Sequence, residues 1–514
     1  MPSKPGITGN PRIIYLGLLS AHLALVWSLS YFPTLDGPTH VYNLVILRDL
    51  LHGGRIWGDY YSFLLRPLPN LGFTIITYPL LTFFSPFVAE KIFLSVYIIL
   101  MGISVPVFIR SFGKPAFPAS FFVFPVVFNV SLTAGFYSYC ISIPLLLLAI
   151  SSFRCASDGT TIRRFIVINT ACIFLFFFHL IAFAIFLAAL AAFALDGPST
   201  RTEKIQGLLL TLGLAAPSIL CLLSIFFSET TLGNMRALSH QELINRLPEL
   251  ISDLITFSMV NYFRWQMYPA SIVASIFLVL LLTSFIEVSG EDQTSKPHVR
   301  SERPLIVLAS ILFLIYILAP GAFGGGSLFN LRLPWVIFLT LLPILRMPDL
   351  EGFQKYGHLF IGSLVAAFFA LNIVVMVGQT VKMEMFLRGL RTDPWPRGSV
   401  LMTYKKQTPP GTRVDVLSHA ASYYGIEKEC VDAGNYQASL RLFLVRFKRS
   451  LPSMPSEYQM TYKPETIDLA VSPSIRYMIA WEIGNSEGEM IGKYYDLIWK
   501  SDNLTIWRRS NHRM

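Results

Sequence analysis

Long apolar runs separated by short charged segments make up most of residues 1–381 of this chain. The runs are about 13 to 23 residues long, which favours α-helical membrane spans over the alternating strands of an outer-membrane barrel. We therefore predict a polytopic helical bundle of about eleven spans. The predicted spans are residues 13–30, 88–109, 117–132, 136–153, 165–180, 181–195, 205–227, 268–286, 304–318, 333–345 and 358–377.

Two stretches allow more than one interpretation. Residues 71–84 are apolar but short and contain Pro79, so we expect an interfacial or re-entrant piece instead of a span. Residues 165–195 form either two short spans or one long tilted helix. The second alternative would reverse the orientation of every later segment.

A polar loop of residues 31–70 follows the first span. Within it, residues 41–51 carry apolar side chains at helical spacing, which predicts a short amphipathic helix lying along the membrane surface. Another polar loop covers residues 228–267. Gly324 to Gly326 form a glycine run at the edge of a span, and we interpret it as a flexible turn because no Lys-Ser or Lys-Thr follows it.

The composition changes to that of a soluble domain from residue 382 to residue 514. Residues 409–414 predict a turn leading into a strand that includes residues 414–417. Residues 496–508 predict a terminal hairpin that turns at Asp502 and Asn503. We predict a small α/β domain here, after a membrane domain of residues 1–381.

Composition supports membrane insertion and narrows the classes of partner. The 514 residues are 53% hydrophobic and only 14% charged, with a mean hydropathy of +0.55, unlike an ordinary soluble domain. Four of the five cysteines lie in or beside predicted spans, so no disulfide framework is expected. The net charge of +10 follows from basic residues at span ends, and no nucleic-acid partner is expected.

Charge bias gives the predicted orientation. With eleven spans and a cytoplasmic N-terminus, every inside segment is basic, as the positive-inside rule expects. The inside residues are Lys4, Arg12, Arg110, Lys114, Arg154, Arg163, Arg164, Arg201, Lys204, Lys296, Arg300, Arg303, Arg346 and Lys355. Both polar loops, the glycine run and the C-terminal domain then lie on the outer face of a bacterial-type inner membrane.

The cluster of chemistry-bearing residues comes directly after the first span. Asp36, His40 and Asn43 place a carboxylate, an imidazole and a carboxamide at a membrane edge, where ionisable groups are candidates for function. Other interpretations are open: Asp36 could simply cap the loop helix, and His40 could be an interfacial residue. Glu90 and Lys91 are expected to form a local ion pair. The motifs of nucleotide-binding enzymes and zinc hydrolases are missing.

In architecture the whole chain resembles the GT-C superfamily of polytopic glycosyltransferases. The resemblance in residues rests on the segment from Leu35 to Asn43, Pro86 before Glu90 and Lys91, the turn of residues 129–139, and Arg332. The paired acidic motif that several of these families carry in the first loop is reduced here to Asp36. The resemblance implies a polyprenyl-phosphate-linked sugar donor and a catalytic carboxylate in the loop.

The resemblance also suggests roles for single residues. Asp36 would be the base, and His40 would orient it, bind a metal or contact the acceptor. Arg332 would neutralise the donor phosphate, although it could instead extend its side chain to lipid headgroups. Asn43, Tyr60 and Tyr61 are candidates for substrate contact, and the two tyrosines also suit an aromatic belt. No cofactor is certain, and a divalent metal ion on Asp36 and His40 stays open.

Two other functional classes remain. A lipid or saccharide transporter would also be polytopic. It would be expected to show ionisable residues in several spans or an internal repeat, and the sequence shows neither clearly. A non-catalytic membrane assembly protein would keep the same architecture and bind partners through its C-terminal domain. For the enzyme, the expected partners are the lipid-linked donor, membrane lipids, and a lipid, glycan or protein acceptor.

Overall fold

The chain is mainly helical, with a small sheet near its C-terminus. The structure is a computed structural model, and it describes residues 10–156, 159–196, 201–229, 240–290, 302–319, 322–323, 326–327, 329–348, 351–405, 408–440, 443–448, 459, 463–470 and 474–510. The α-helices are α1 Pro11–Ser28, α2 Gly37–Leu51, α3 Gly72–Thr77, α4 Pro86–Ser111, α5 Phe124–Val127, α6 Val130–Thr133, α7 Tyr137–Ala156, α8 Thr161–Phe178, α9 Leu180–Leu195, α10 Arg201–Glu229, α11 His240–Ile255, α12 Met267–Gly290, α13 Arg303–Leu318, α14 Pro334–Leu341, α15 Glu351–Phe386, α16 Ala421–Glu427 and α17 Asn485–Gly492.

Within the described ranges, seven helices are long and apolar enough to cross a membrane: α1, α4, α7, α8, α10, α12 and α15. Each coincides with one of the predicted spans. The other four predicted spans fall in shorter apolar helical stretches, at residues 117–132, 181–195, 304–318 and 333–345. The prediction of a polytopic helical membrane protein with a small C-terminal sheet domain is therefore confirmed.

The predicted span at residues 117–132 is wrong as a continuous helix. It consists of a 3-10 helix at Ala119–Val123 followed by α5 and α6. The break lies at Asn129, where the side-chain Oδ1 accepts hydrogen bonds from the backbone N–H groups of Ser131 (2.8 Å) and Leu132 (3.2 Å). An asparagine that caps a new helix must leave the helical conformation itself, so the preceding helix ends there.

His179 separates α8 from α9. Its backbone is extended, with φ −167° and ψ 129°, and its Nδ1 accepts a hydrogen bond from the Ile181 N–H at 3.2 Å. The alternative of one long helix over residues 165–195 is therefore wrong. The two helices pack against each other and against α7 and α10.

Residues 71–84 form α3 and a 3-10 helix at Pro79–Thr82, two pieces too short to cross a membrane. The Leu71 N–H bonds to the carbonyl of Phe177 at 2.8 Å, at the end of α8. A Cβ on Gly72 would lie 2.9 Å from the Phe178 ring. This segment is thus inserted against the bundle, as a re-entrant piece would be.

Helix α2 contains the predicted loop helix, but it does not lie on the surface. Residues 37–39 and 41–47 are buried on every side of the helix, because the C-terminal domain covers it. Tyr42 donates a hydrogen bond from its hydroxyl to the Cys430 carbonyl at 2.6 Å. The helix is therefore enclosed by protein, and its predicted place along the membrane surface stays a prediction.

The C-terminal domain contains a five-stranded mixed sheet in the order β5-β4-β7-β9-β8. The strands of the chain are β1 Tyr61–Phe63, β2 Ala322–Phe323, β3 Gly326–Ser327, β4 Val400–Lys405, β5 Val431–Asp432, β6 Val445–Phe447, β7 Ile475–Trp481, β8 Tyr495–Ser501 and β9 Leu504–Arg509. β4 is parallel to β5 and β7, whereas β9 is antiparallel to β7 and β8. The predicted terminal hairpin through Asp502 and Asn503 is confirmed.

The strand predicted after residue 409 is wrong. The segment is a turn that contacts the membrane domain: the Arg413 N–H bonds to the Tyr262 carbonyl at 2.7 Å, and its guanidinium forms an ion pair with Asp253 of α11. Antiparallel pairing of β1 with β6 also joins the loop of residues 31–70 to the C-terminal domain. The boundary predicted at residue 382 lies inside α15, and the division into two domains stays a prediction.

The predicted outer elements meet at one end of the bundle. Tyr262 donates from its hydroxyl to the Pro33 carbonyl at 2.5 Å, and the Val130 N–H bonds to the Ser258 carbonyl at 3.1 Å. Helix α4 has 26 residues and is therefore about 39 Å long. Beyond its C-terminal end, Lys114 forms an ion pair with Glu302 at 2.5 Å. The separation of polar and basic ends agrees with the predicted membrane topology, and the side of the membrane that each end faces stays a prediction.

Part of that topology falls outside the described residues: Lys4, Lys296, Arg300, Gly324, Gly325, residues 230–239 and the side chains of Arg201, Lys204 and Lys355.

A pair of alanine substitutions tests the packing of α2 against the C-terminal domain. A Cβ on Gly425 of α16 would lie 2.7 Å from the buried Tyr42 ring, so Gly425→Ala is expected to cost about 1–3 kcal/mol of folding free energy. Gly488→Ala in α17 is the matched control: its Cβ would meet no atom within 4 Å, and alanine favours a helix by up to about 1 kcal/mol. Thermal unfolding in detergent should lower Tm for the first variant only, and equal effects would contradict this packing.

Candidate functional site

Asp36 lies at the start of α2 without capping it. Pro38 in the first turn favours a helix start here, because its fixed φ suits the helix and its missing N–H has no partner to lose. The Asp36 side chain makes no capping hydrogen bond to the helix. The interpretation of Asp36 as a side-chain N-cap is therefore wrong, and the residue is buried, with 7% of its surface exposed.

The turn of residues 129–135 holds the Asp36 backbone. The Asp36 N–H bonds to the Ala134 carbonyl at 3.2 Å, and the Leu35 N–H bonds to the Thr133 carbonyl at 2.9 Å. Gly135 follows with φ +88°, and a Cβ there would lie 2.7 Å from the Cβ of Asp36. Only glycine fits this close approach, so the turn fixes where α2 begins.

Asp36, His40 and Asn43 lie on one face of α2, since they are spaced by four and three residues. This face is directed at the C-terminal domain. His419, which lies just before α16, places its Nε2 3.5 Å from Asp36 Oδ1. The structure thus brings an imidazole from the C-terminal region to the predicted carboxylate, and no motif around His419 in the sequence points to this contact.

His40 and Asn43 contact the 3-10 helix at Tyr436–Ser439 and the residue before it. Gln437 donates from its amide to His40 Nδ1 at 3.1 Å. Asn43 donates to Asn435 at 3.2 Å and to Gln437 at 3.0 Å, and Asn435 donates back to Asn43 at 2.9 Å. Asn43 therefore links α2 to the C-terminal region through a closed amide network, and its contact with substrate stays a prediction.

Burial keeps both imidazoles neutral at pH 7. It lowers the pKa of His40 to about 4, and the ring packs on Tyr137 with centroids 5.7 Å apart. Burial, helped by the Lys405 cation, lowers the pKa of His419 to about 3. A neutral imidazole has one N–H donor and one acceptor nitrogen and carries no charge. Neither histidine therefore forms an ion pair with Asp36.

A metal site gains no support from this arrangement. Within the residues that the structure describes, no three His, Cys, Asp or Glu side chains are grouped to hold a metal ion. His40 Nδ1 is already engaged by Gln437.

Arg332 faces into the protein, against the end of α8. Its Nη1 lies 3.3 Å from His179 Nε2, and its guanidinium lies 4.1 Å from the centre of the Phe136 ring. Asp36 and Tyr436 are both within electrostatic range of this cation. Arg332 therefore does not extend outward to lipid headgroups, and its charge lies in the same region as the Asp36 carboxylate.

Glu90 is a buried acid next to this region, and the predicted ion pair with Lys91 is not what holds it. Tyr137 donates to Glu90 Oε1 at 2.6 Å and Tyr423 donates to Oε2 at 3.3 Å, while Lys91 donates to the Leu29 carbonyl at 2.5 Å. Glu90 thereby connects α4, α7 and α16 through hydroxyl groups.

Tyr60 and Tyr61 lie where the loop pairs with the C-terminal domain. Tyr61 is fully buried, stacks on Phe447 at 4.8 Å and donates to the Asp432 carbonyl at 3.3 Å. The Tyr60 carbonyl accepts from the Lys448 N–H at 2.9 Å. These contacts explain both residues as part of the interface, and their predicted role in sugar binding stays untested.

A cavity of about 530 Å³ opens beside the C-terminal half of α2. Its lining residues are Val45, Arg48, Asp49, His52, Ile56, Trp57, Pro86, Ile426 and Glu429. Asp36 is not among them.

Comparison with known proteins concerns the arrangement of the chain only. The structure is similar to the crystal structure of ArnT from Cupriavidus metallidurans in the apo state, with a TM-score of 0.46 and 10% sequence identity. The similarity covers 97% of this chain and 98% of that one. No family model matches the sequence, and no curated protein matches it.

The amide network of Asn43 can be tested by its stability. Asn43→Leu leaves Asn435 and Gln437 buried with lost partners, which is expected to cost about 1–3 kcal/mol for each unsatisfied group. Asn485→Leu, at an exposed position of α17, is the control and should stay within about 0.5 kcal/mol. Thermal unfolding measures both, and equal Tm values for the two variants would argue against the network.

Proposed function

We propose that this protein is an integral membrane glycosyltransferase that moves a sugar from a polyprenyl phosphate to an acceptor. The observation that carries the proposal is the position of Asp36: its carboxylate makes no capping bond and lies within electrostatic range of Arg332. A base and a cation on one side of a helical bundle match the needs of sugar transfer from a lipid phosphate.

The proposed reaction is a single displacement with inversion at the sugar. Asp36 takes the proton of an acceptor hydroxyl as the acceptor oxygen forms a bond to the anomeric carbon. The bond between that carbon and the phosphate oxygen breaks, and the electron pair leaves with the polyprenyl phosphate. Arg332 stabilises the departing negative charge, which is worth more in a site with little water.

The proposed setting is a bacterial-type inner membrane, with the N-terminus cytoplasmic and the C-terminal domain outside. It is supported by the separation of the basic end, near Lys114, from the end that carries Asp36. The lipid of the donor would lie between spans, and the acceptor would be a lipid, a glycan or a protein.

One observation favours a second candidate, a non-catalytic membrane assembly protein. Asp36 is only 7% exposed and lies against His419 of the C-terminal domain, as expected of a residue that holds two domains together. The two candidates differ in one measurable property, because only the enzyme releases free polyprenyl phosphate from a lipid-linked sugar.

Asp36→Asn tests the base directly. The amide cannot take a proton, so transfer should fall by at least about 100-fold while the protein stays folded and inserted. Asp59→Asn, at an exposed position of the same loop, is the matched control and should keep full activity. Purified protein is incubated with a panel of polyprenyl-phosphate sugars, and released lipid phosphate is measured; full activity of Asp36→Asn would exclude Asp36 as the base.

Arg332→Ala tests the phosphate role. Loss of a charge-assisted contact to the donor phosphate is expected to reduce kcat/KM for the donor by about 10- to 100-fold, with KM raised for the donor and nearly unchanged for the acceptor. Arg476→Ala, at an exposed position of β7, serves as the control. Steady-state kinetics with each substrate varied in turn gives both KM values, and an unchanged kcat/KM for the donor or an equal rise in the two KM values would argue against this role.

A further inference from the structure

The C-terminal domain places a row of polar side chains along the Asp36 face of α2. Asn435 contacts Asn43, Gln437 contacts His40, and His419 contacts Asp36. The first two contacts pair uncharged groups, and they explain how the domain docks. The third is different, because it reaches the carboxylate to which the proposed function assigns the chemistry.

His419 is held firmly from its own domain. Its ring packs on Tyr436 with centroids 4.8 Å apart, and only 6% of its surface is exposed. The turn that carries it is anchored by Lys405, which pairs with Asp415 and donates to the Ser418 hydroxyl at 3.2 Å. The position of the imidazole is therefore set by the C-terminal domain and not by α2.

The chemical state of His419 suits an orienting role. Because burial lowers its pKa to about 3, the ring is neutral at pH 7, and its Nε2, 3.5 Å from Asp36 Oδ1, is placed to offer an N–H to the carboxylate in one of its two tautomers. A lysine or arginine at this distance would form an ion pair and make the carboxylate a weaker base. A neutral donor fixes the direction of the carboxylate and leaves its charge in place.

We propose that His419 is a positioning residue that orients the Asp36 carboxylate, so that the C-terminal domain completes the active site. The inference rests on the proposed function, since it assigns His419 a task only if Asp36 acts as the base. It predicts that the membrane domain alone is a poor catalyst and that the contact matters for turnover more than for binding.

Several other groups face this pair and belong in any account of its pH dependence. Lys405, Asp415 and His40 act on His419, and Arg332 acts on Asp36. Substitutions at His419 leave all four unchanged, so a shift in the pH profile reports on the contact with Asp36.

The test compares His419→Leu, which removes the donor, with His419→Gln, whose amide N–H can replace it. His419→Leu is expected to lower kcat by about 10- to 100-fold with KM for the donor nearly unchanged, since a lost hydrogen bond to a charged group is of that size. The acid limb of the pH–rate profile should move up by about one pH unit, because the charged form of the base loses a donor. His419→Gln should keep most of the wild-type kcat and its pH profile.

His52→Leu, the same substitution at the exposed end of α2, is the matched control and should behave as wild type. Tm and gel-filtration profiles are recorded for every variant. Wild-type turnover with an unshifted acid limb in His419→Leu overturns the inference, and so does an equal loss in the Leu and Gln variants. Absence of transfer by the wild-type protein with every donor removes the proposed function, and this inference with it.

Discussion

The structure depends on how the buried polar face of α2 finds hydrogen-bond partners. Asp36 and Asn43 are buried and His40 is half-buried where α2 meets the C-terminal region, and unpaired polar groups in such a place would cost several kcal/mol. Asn435 and Gln437 supply amide partners of matching polarity. The docking of the C-terminal region on α2 and the arrangement of the candidate site therefore depend on the same contacts.

Glycine determines how closely the parts can approach. Gly135 allows the turn after α6 to contact Asp36, and Gly37 lies where a Cβ would be 2.9 Å from Glu90 Oε1 and 2.5 Å from the Tyr137 hydroxyl. Larger residues would push α2 away from α4 and α7.

Burial also sets the charge balance of the site. His40 and His419 are neutral because desolvation disfavours their charged forms, so neither imidazole brings a positive charge to the Asp36 carboxylate. The Arg332 cation is also within electrostatic range of Asp36. In the proposed reaction the base acts on the acceptor hydroxyl that attacks the anomeric carbon, and the cation acts on the phosphate that leaves it.

The sequence by itself determined the long spans, the basic residues at their ends, the C-terminal hairpin, and Asp36 as the carboxylate to consider. These features depend on local composition: a helix must be apolar over its length to cross a membrane, and Asp502-Asn503 favours a tight turn whatever surrounds it. Only the tertiary structure decided that α2 is buried and that His419 meets Asp36. Those contacts join residues hundreds of positions apart. A local sequence pattern cannot predict them, because they depend on how the C-terminal region packs against α2 as a whole.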